Sequence, residues 1–182
     1  RQVNEQWGEL DFLVHSLAYA DTQDLSKPFS ETLRDGFNKA VEISAYSLLP
    51  LAKGIIPMMR KRGGGSIVSM SFIGSTLAVP NYNVMGPAKA ALESCTRYLA
   101  RELGPENIRI NSLSPGAIRT LSSAGIKDIS EMIRVAGEHS AMKRTATQAE
   151  VANTAAFLLS DAASGITGQL IYVDCGYSIM AN

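Results

Sequence analysis

The sequence lacks several features that would identify common classes of protein. Cys95 and Cys175 are the two cysteines among 182 residues, too few for a disulfide framework or a four-cysteine zinc site, and we expect no metal. No apolar run approaches the roughly 20 residues that span a bilayer, and no apolar signal segment opens the chain. We therefore expect a soluble, cytoplasmic protein. The 17 basic and 17 acidic residues leave a net charge of zero, which removes any bulk attraction to nucleic acid or to an anionic membrane.

Hydrophobic residues are plentiful instead. They make up 46% of the chain, enough to form the core of one globular domain over residues 1–182. Short apolar or β-branched segments, each bounded by turn residues, predict four strands. The predicted strands are 10–15, 66–71, 107–114 and 169–174.

Three segments with helical periodicity separate the strands. The first, about 31–61, is predicted to be kinked or interrupted at Pro50 and Pro57. Its predicted buried stripe comprises Leu33, Phe37, Ala40, Val41, Ser44 and Leu48. The second, about 83–103, ends at Gly104.

The third predicted helix, about 148–160, begins after Thr147, and Glu150 completes the spacing of a capping box. Its predicted buried residues are Val151, Ala155, Phe157 and Leu158.

The alternation of strands and helices predicts a parallel sheet with helices on its faces. Such sheets bind ligands beyond the carboxyl ends of their strands. The basic and glycine-rich stretch 60–65 precedes a strand, so it indicates a helix-to-strand turn rather than a phosphate-binding loop. The loops expected at the ligand edge are 16–30, 72–87, 115–137 and 174–182.

Tyr82 and Lys89 form the most promising pair for chemistry in these loops. Seven residues at about 100° each would place both side chains within about 20° of one another on a helix. A lysine ammonium beside a phenol favours the phenolate, which suits acid catalysis or stabilisation of an oxyanion. The alternative is a packed Tyr82 ring and a solvated Lys89. The turn at Pro80 and the small residues beside Lys89 favour the catalytic interpretation.

Residues 82–93, Tyr-Asn-Val-Met-Gly-Pro-Ala-Lys-Ala-Ala-Leu-Glu, resemble the active-site helix of NADH-dependent enoyl-acyl-carrier-protein reductases. These enzymes are divergent short-chain dehydrogenases of bacterial type II fatty-acid synthesis. Most short-chain dehydrogenases place the tyrosine four residues before the lysine, where this chain has Met85, whereas the spacing of Tyr82 and Lys89 is that of the enoyl reductases. The resemblance continues through 11–16, 114–121, 123–126, 166–168 and 173–174.

The resemblance implies a Rossmann-like fold with helices on both faces of a parallel sheet. It implies that Tyr82 stabilises the enolate of a thioester substrate and that Lys89 holds the nicotinamide ribose and favours the phenolate. The implied contacts with NADH come from Leu17 and Ile118 through the main chain, and from Lys89, Arg119, Thr120, Leu121 and Ser122. The implied substrate-binding residues are Ala20, Phe72, Tyr82 and Met85.

The resemblance also implies a flap and two kinds of partner. The flap would span about 121–137 and cover the acyl chain with an apolar face formed by Ile126, Ile129, Met132 and Ile133. From the sequence alone, that stripe indicates an ordinary core helix. The implied partners are acyl carrier protein, which delivers the substrate, and further copies of this chain in a homotetramer. Arg119, Lys127, Lys143 and Arg144 could meet an acidic carrier protein, or they could be scattered surface charges.

Three features depart from the family pattern. Phe72 replaces a usual tyrosine and cannot donate a hydrogen bond, and adjacent Ser71 is expected to face the other way. Ala117 replaces a common proline, with little expected effect. The family's glycine-rich first half, which would select NADH over NADPH, has no counterpart among the 15 glycines. We therefore expect a fragment of a longer protein, with an exposed apolar edge at strand 10–15.

Two other functions stay open at this point. One is a carbonyl-reducing short-chain dehydrogenase, which the position of Met85 disfavours. The other is a non-catalytic oligomerisation or interaction module, suggested by the missing first half. His15 is interpreted as a structural histidine at a strand end, His139 as a solvated one, and Cys95 as a small core residue.

Overall fold

The sheet contains four parallel strands in the order of the sequence. A computed structural model describes residues 2–120, 123 and 126–181 of the chain. The strands are β1 (Phe12–His15), β2 (Gly65–Met70), β3 (Ile108–Pro115) and β4 (Leu170–Val173), and neighbouring strands pair in that order. All four predicted strands are confirmed to within two residues.

Helices connect the strands and cover both faces of the sheet, which confirms the predicted fold class. They are α1 (Gln2–Trp7), α2 (Thr22–Ser26), α3 (Arg34–Val41), α4 (Leu48–Arg62), α5 (Met85–Leu103), α6 (Ile129–His139) and α7 (Gln148–Leu159). In the part of the chain that the structure describes, no helix is both long and apolar enough to cross a membrane.

Two core layers flank the sheet. On one face, α4 and α5 bury Met59, Leu92 and Leu103 against β2 and β3. On the other face, Leu158 of α7 and its neighbours pack against Val68 and other strand residues. β1 is an edge strand, and its Phe12 and Val14 side chains are about half exposed, as the sequence predicted.

The first predicted helix differs from its prediction. Its interruption is a π-helical turn at Glu42–Tyr46, where the Ser47 N–H donates to the Glu42 carbonyl at 3.0 Å. Pro50 lies in the first turn of α4, where no intrahelical N–H is needed, and α4 continues past Pro57.

The predicted buried stripe of this segment is only partly correct. Leu33 lies just before α3 and is 62% exposed, and Phe37 is also exposed. The stripe is buried from Ala40 onwards because that is where the chain comes to lie against the sheet and α5.

The helix boundaries that the sequence signalled most clearly are confirmed. The Thr147 hydroxyl accepts a hydrogen bond from the Glu150 N–H at 3.2 Å, and the Glu150 carboxylate accepts one from the Thr147 N–H at 2.8 Å. The capping box therefore starts α7. Within this helix, Phe157 was predicted to be buried but is exposed. α4 ends at Arg62 and is capped by Gly63, whose φ of 83° is left-handed, so the predicted turn of 60–65 is shortened to Gly63 and Gly64.

Candidate active site

A cavity of about 410 Å³ lies at the carboxyl ends of β1, β2 and β3, the edge where parallel sheets bind ligands. Residues from three of the four predicted ligand loops, 16–30, 72–87 and 115–137, line it, whereas 174–182 contributes only to a neighbouring cavity. Among those predicted to act in the site, the cavity wall contains Ala20, Phe72, Tyr82, Met85, Lys89, Ile118 and Thr120.

Tyr82 reaches this cavity from a turn rather than from a helix. The backbone φ angles of Asn81 and Asn83 are 59° and 30°, which a right-handed helix does not allow, so α5 begins only at Met85. The prediction that Tyr82 and Lys89 share one helical face is therefore wrong. The turn nevertheless brings both side chains to the same cavity.

The Tyr82 ring is fixed by close packing. Its centroid lies 4.8 Å from that of Phe72, with the ring planes tilted by 56°. A Cβ atom at Gly74 would overlap the Tyr82 ring, and one at Gly86 would lie 2.8 Å from the Gly74 carbonyl oxygen. Both positions require glycine because the segment after β2 that contains Gly74 packs directly on the Tyr82 ring and on the start of α5.

The Tyr82 hydroxyl is held in its neutral form. Burial raises the pKa of Tyr82 above its ordinary value of 10.0, and the negative charge of Glu93 raises it further. The raised pKa is opposite in direction to the expectation that Lys89 favours the phenolate, and desolvation is its largest cause. At neutral pH the phenol can donate a hydrogen bond into the cavity.

Lys89 is a buried cation in the same wall. Its side chain is 5% exposed, and Nζ donates to the backbone carbonyl of Met70, at the end of β2, at 2.6 Å. Burial lowers the pKa of Lys89 from 10.5 to about 8, although the charge of Glu93 acts in the opposite direction. The ammonium therefore remains charged at neutral pH.

The loop after β1 is tied to the π-helical turn. The Ser44 hydroxyl accepts from the Tyr19 N–H at 3.0 Å. The Lys39 ammonium lies 4.6 Å from the centroid of the Tyr19 ring and pairs with Asp21, which also accepts from the Tyr19 hydroxyl. These contacts hold the main chain around Tyr19 at the cavity wall.

His15, at the end of β1, is structural as predicted but incompletely paired. Its Nε2 lies 2.8 Å from the Ser47 hydroxyl, whereas Nδ1 is buried without a hydrogen-bond partner among the described residues. Burial, followed by the positive charge of Lys89, lowers its pKa below 6.5. The ring is therefore neutral at neutral pH.

Four other residues were predicted to contact the cofactor: Leu17, Arg119, Leu121 and Ser122. The Leu17 side chain is exposed, while its neighbours Ser16 and Ala18 line the cavity. Arg119 donates through Nη2 to the hydroxyl of Ser130, on α6, at 2.7 Å. Leu121 and Ser122 lie outside the described residues, and the cofactor contacts of all four residues stay predictions.

The flap prediction corresponds partly to α6. Ile126, Ile129 and Met132 line the cavity, whereas Ile133, the fourth residue of the predicted stripe, does not. A second cavity of about 510 Å³ adjoins the first at Phe72 and Met132, and Lys127 and Glu131 lie among its lining residues.

Two polar residues of the site were missed by sequence reasoning. Glu93 is 7% exposed on α5, and its carboxylate accepts a short hydrogen bond from the Ser71 hydroxyl. Ser71 is expected from strand alternation to face away from the side that Phe72 occupies, yet both residues line the cavity. The available signal was the spacing of Glu93, four residues after Lys89 and therefore on the same helical face.

Comparisons with known proteins agree with this geometry. The model of the family described as enoyl-(acyl carrier protein) reductase matches residues 1–178. The enoyl-[acyl-carrier-protein] reductase [NADH] FabI of a Synechocystis strain is 53% identical over 178 residues, which are 98% of this chain and 68% of that protein. The protein of the same name from Bacillus subtilis is 46% identical, over 98% of this chain and 69% of its own length.

Solved structures give the same result. FabI from Candidatus Liberibacter asiaticus superposes with a TM-score of 0.95 at 41% identity, over 100% of this chain and 69% of that one. The Anaplasma phagocytophilum reductase, solved in complex with NAD, gives a TM-score of 0.94 at 40% identity, over 100% of this chain and 68% of its own. The chain thus spans slightly more than two thirds of these relatives, and it belongs to the enoyl-(acyl carrier protein) reductase family.

Proposed function

We propose that this chain supports the NADH-dependent reduction of the trans-2 double bond of enoyl thioesters carried on acyl carrier protein. The observation that carries the proposal is the burial of a neutral phenol, Tyr82, and a charged ammonium, Lys89, in the wall of one cavity. The family membership and the names of the relatives support it.

Tyr82 acts on the thioester oxygen. When hydride is delivered to the β-carbon, negative charge would develop on that oxygen and the Tyr82 hydroxyl would donate a hydrogen bond to it. A proton would then reach the α-carbon and complete the reduction. A fixed donor in the largely apolar wall of this cavity stabilises the charge more strongly than water does, because it needs no reorientation. Phe72 packs on the Tyr82 ring and supplies shape without a second donor.

The residues at the cavity fit the nicotinamide end of the cofactor. Lys89 presents a buried cation for the ribose hydroxyls, and Ile118 and Thr120 lie in the same wall, where they would hold the carboxamide. When bound, NADH supplies the hydride. Leu17, Arg119, Leu121 and Ser122 are proposed as further contacts with the cofactor.

The substrate occupies the rest of the cavity. Ala20 and Met85 flank the reacting end of the thioester, and Ile126, Ile129 and Met132 offer an apolar wall to the acyl chain. Lys127 is exposed beside the second cavity, where it could meet an acidic carrier protein. Assembly into a homotetramer remains a prediction of the family resemblance.

The test is reduction of crotonyl thioesters on coenzyme A and on acyl carrier protein, followed by loss of NADH. It is made on this chain and on a chimaera that adds the N-terminal nucleotide-binding part of a family member. Turnover of a ketone but not of the enoyl thioesters would contradict the proposal and favour a carbonyl reductase. Neither turnover nor NADH binding by either protein would favour a non-catalytic module.

Tyr82→Phe is the decisive variant in the active protein. We expect a loss of about 100- to 1,000-fold in kcat with little change in the Kd for NADH, because the contact forms chiefly in the transition state. The matched control is Tyr98→Phe, which alters a tyrosine of α5 that is 73% exposed. Equal losses of kcat and of NADH affinity in Tyr82→Phe would refute the assigned role.

A further inference from the structure

The buried carboxylate of Glu93 has no place in the chemistry assigned so far. A charged carboxylate inside a protein is costly unless hydrogen bonds or opposite charges compensate it. The Ser71 hydroxyl donates to Oε1 of Glu93. Glu93 makes no ion pair within the described part of the chain. Burying Glu93 therefore lowers the stability of the fold more than burying a residue with only a packing role would.

The end of β2 connects Glu93 to Lys89. The Met70 carbonyl accepts from the Lys89 ammonium at 2.6 Å, and the next residue, Ser71, donates to Glu93. Lys89 and Glu93 are four residues apart and lie on one face of α5. One strand end therefore fixes the cation and the carboxylate together.

We propose that Glu93, held by Ser71, is a positioning residue whose buried negative charge balances and orients the Lys89 ammonium in the cavity wall. The proposal rests on the proposed function, in which Lys89 holds the cofactor. Glu93 itself does not line the cavity, so it acts through Lys89 rather than on the substrate.

The other titratable groups around Lys89 carry no negative charge that could balance its ammonium. His15 comes from β1 and is neutral at neutral pH, because burial and Lys89 lower its pKa. Tyr82 comes from the turn before α5 and is also neutral, because burial and Glu93 raise its pKa. Among the described residues, Glu93 is the group whose charge raises the pKa of Lys89.

The variant that tests this is Glu93→Gln, which keeps the size and an oxygen acceptor for Ser71 but removes the charge. In wild type, Lys89 is expected to titrate near pH 8. Without the raising effect of Glu93, its titration midpoint must move to lower pH. NMR of the labelled lysine ε-carbon measures the midpoint, and Lys89→Arg identifies the signal.

Cofactor affinity gives a second measurement. Once the pH exceeds the midpoint, NADH binding weakens because Lys89 loses its proton. This decrease in affinity should begin at lower pH in Glu93→Gln. At pH 9 we expect Glu93→Gln to bind NADH about 3- to 10-fold more weakly than wild type. At pH 6 the two proteins should bind alike.

Two further variants separate charge from packing. Glu102→Gln removes an exposed carboxylate from the same helix and should leave both measurements unchanged. Glu93→Asp restores the negative charge and should return the Lys89 midpoint toward the wild-type value. An unchanged midpoint in Glu93→Gln, or the same displacement in Glu93→Asp, would overturn the proposal.

Failure of the proposed function would be distinguishable. The Lys89 titration is read without substrate or turnover, so an inactive wild-type protein still reports whether Glu93 controls Lys89. An active protein with an unchanged midpoint would refute the role of Glu93 alone.

Discussion

The two halves of α5 lie on the same face of the same sheet, but the first half alone buries charged side chains. The first half buries Lys89 and Glu93 beside the apolar Leu92, and Thr96 lies at the boundary, whereas the last turns bury Leu99, Ala100 and Leu103. The strands beneath show the same change. On the α5 face, β2 runs from Ile67 through Ser69 to Ser71, and β3 from Ile108 and Ile110 to Ser112.

The change follows position along the strands. The first half of α5 lies at the carboxyl edge, where the cavity opens, and the second half lies at the far end. Burying polar groups costs stability unless they are hydrogen-bonded, and here they occur where a ligand can use them. α5 therefore has a half that lines the cavity, which is the proposed functional half, and a half that stabilises the fold.

The largest expected effect comes from the stabilising half. Leu103→Ala should lower the free energy of unfolding by about 2–5 kcal/mol, because Leu103 is fully buried and leaves a cavity. Urea denaturation measures the loss, and exposed Leu33→Ala is the control. The Lys89 titration should not move. A displaced titration would show that the two halves are not separable.

Lys89→Met should give an effect of the opposite sign. The folded-state pKa of about 8 is below the unfolded value of 10.5, so the unfolded chain holds more protons between these values and wild-type stability rises with pH across this window. Below pH 8 the burial cost is fully present. At pH 7 the variant should therefore be more stable by about 2 kcal/mol, and it should lose NADH affinity.

The measurement is urea denaturation of both proteins between pH 7 and pH 10.5, in which the gap should close as the pH rises. Exposed Lys53→Met is the matched control and should show no such dependence. A variant less stable than wild type at pH 7 would mean that the Met70 hydrogen bond outweighs the buried charge, and the functional half would then also stabilise the fold.

The smallest expected effect lies at the boundary between the halves. The Thr96 hydroxyl lies 3.1 Å from that of Ser69 and accepts from Ser112 at 3.0 Å, while the two serine hydroxyls are 2.8 Å apart. Thr96→Val should cost about 1 kcal/mol, because the serines retain each other. A double-mutant cycle with Ser69→Ala measures the coupling. A loss above 3 kcal/mol would place Thr96 among the residues on which the fold depends.

Much of this fold was predictable because the strands and the later helices follow strong periodic patterns. The structure differs from the prediction where tertiary contacts, rather than the local sequence pattern, determine burial and helix ends. Leu33 and Phe37 have helical spacing but lie before the chain meets the sheet, and α4 accommodates Pro57 without ending. Phe157 has the composition of a core residue but faces outward.

In the candidate site, too, some residues were predictable from the sequence and others depend on tertiary contacts. Tyr82 and Lys89 were predictable from the resemblance and from their place at the ligand edge, although a turn and not a shared helical face brings them together. Glu93 was harder to predict because a glutamate on a helix is usually solvated, and its burial depends on the packing of α5 against the end of β2, where Ser71 donates to it. The raised pKa of Tyr82 was missed for a related reason, since desolvation depends on packing density.

The packing of Gly74 and Phe72 around Tyr82 has a consequence for binding. A free tyrosine side chain must give up rotational freedom before it can donate a hydrogen bond in one direction, and that loss weakens association. Here the chain restricts the Tyr82 ring when it folds, before any ligand arrives. The entropy of ordering this side chain thus belongs to folding, and the free energy of each binding event is correspondingly more favourable.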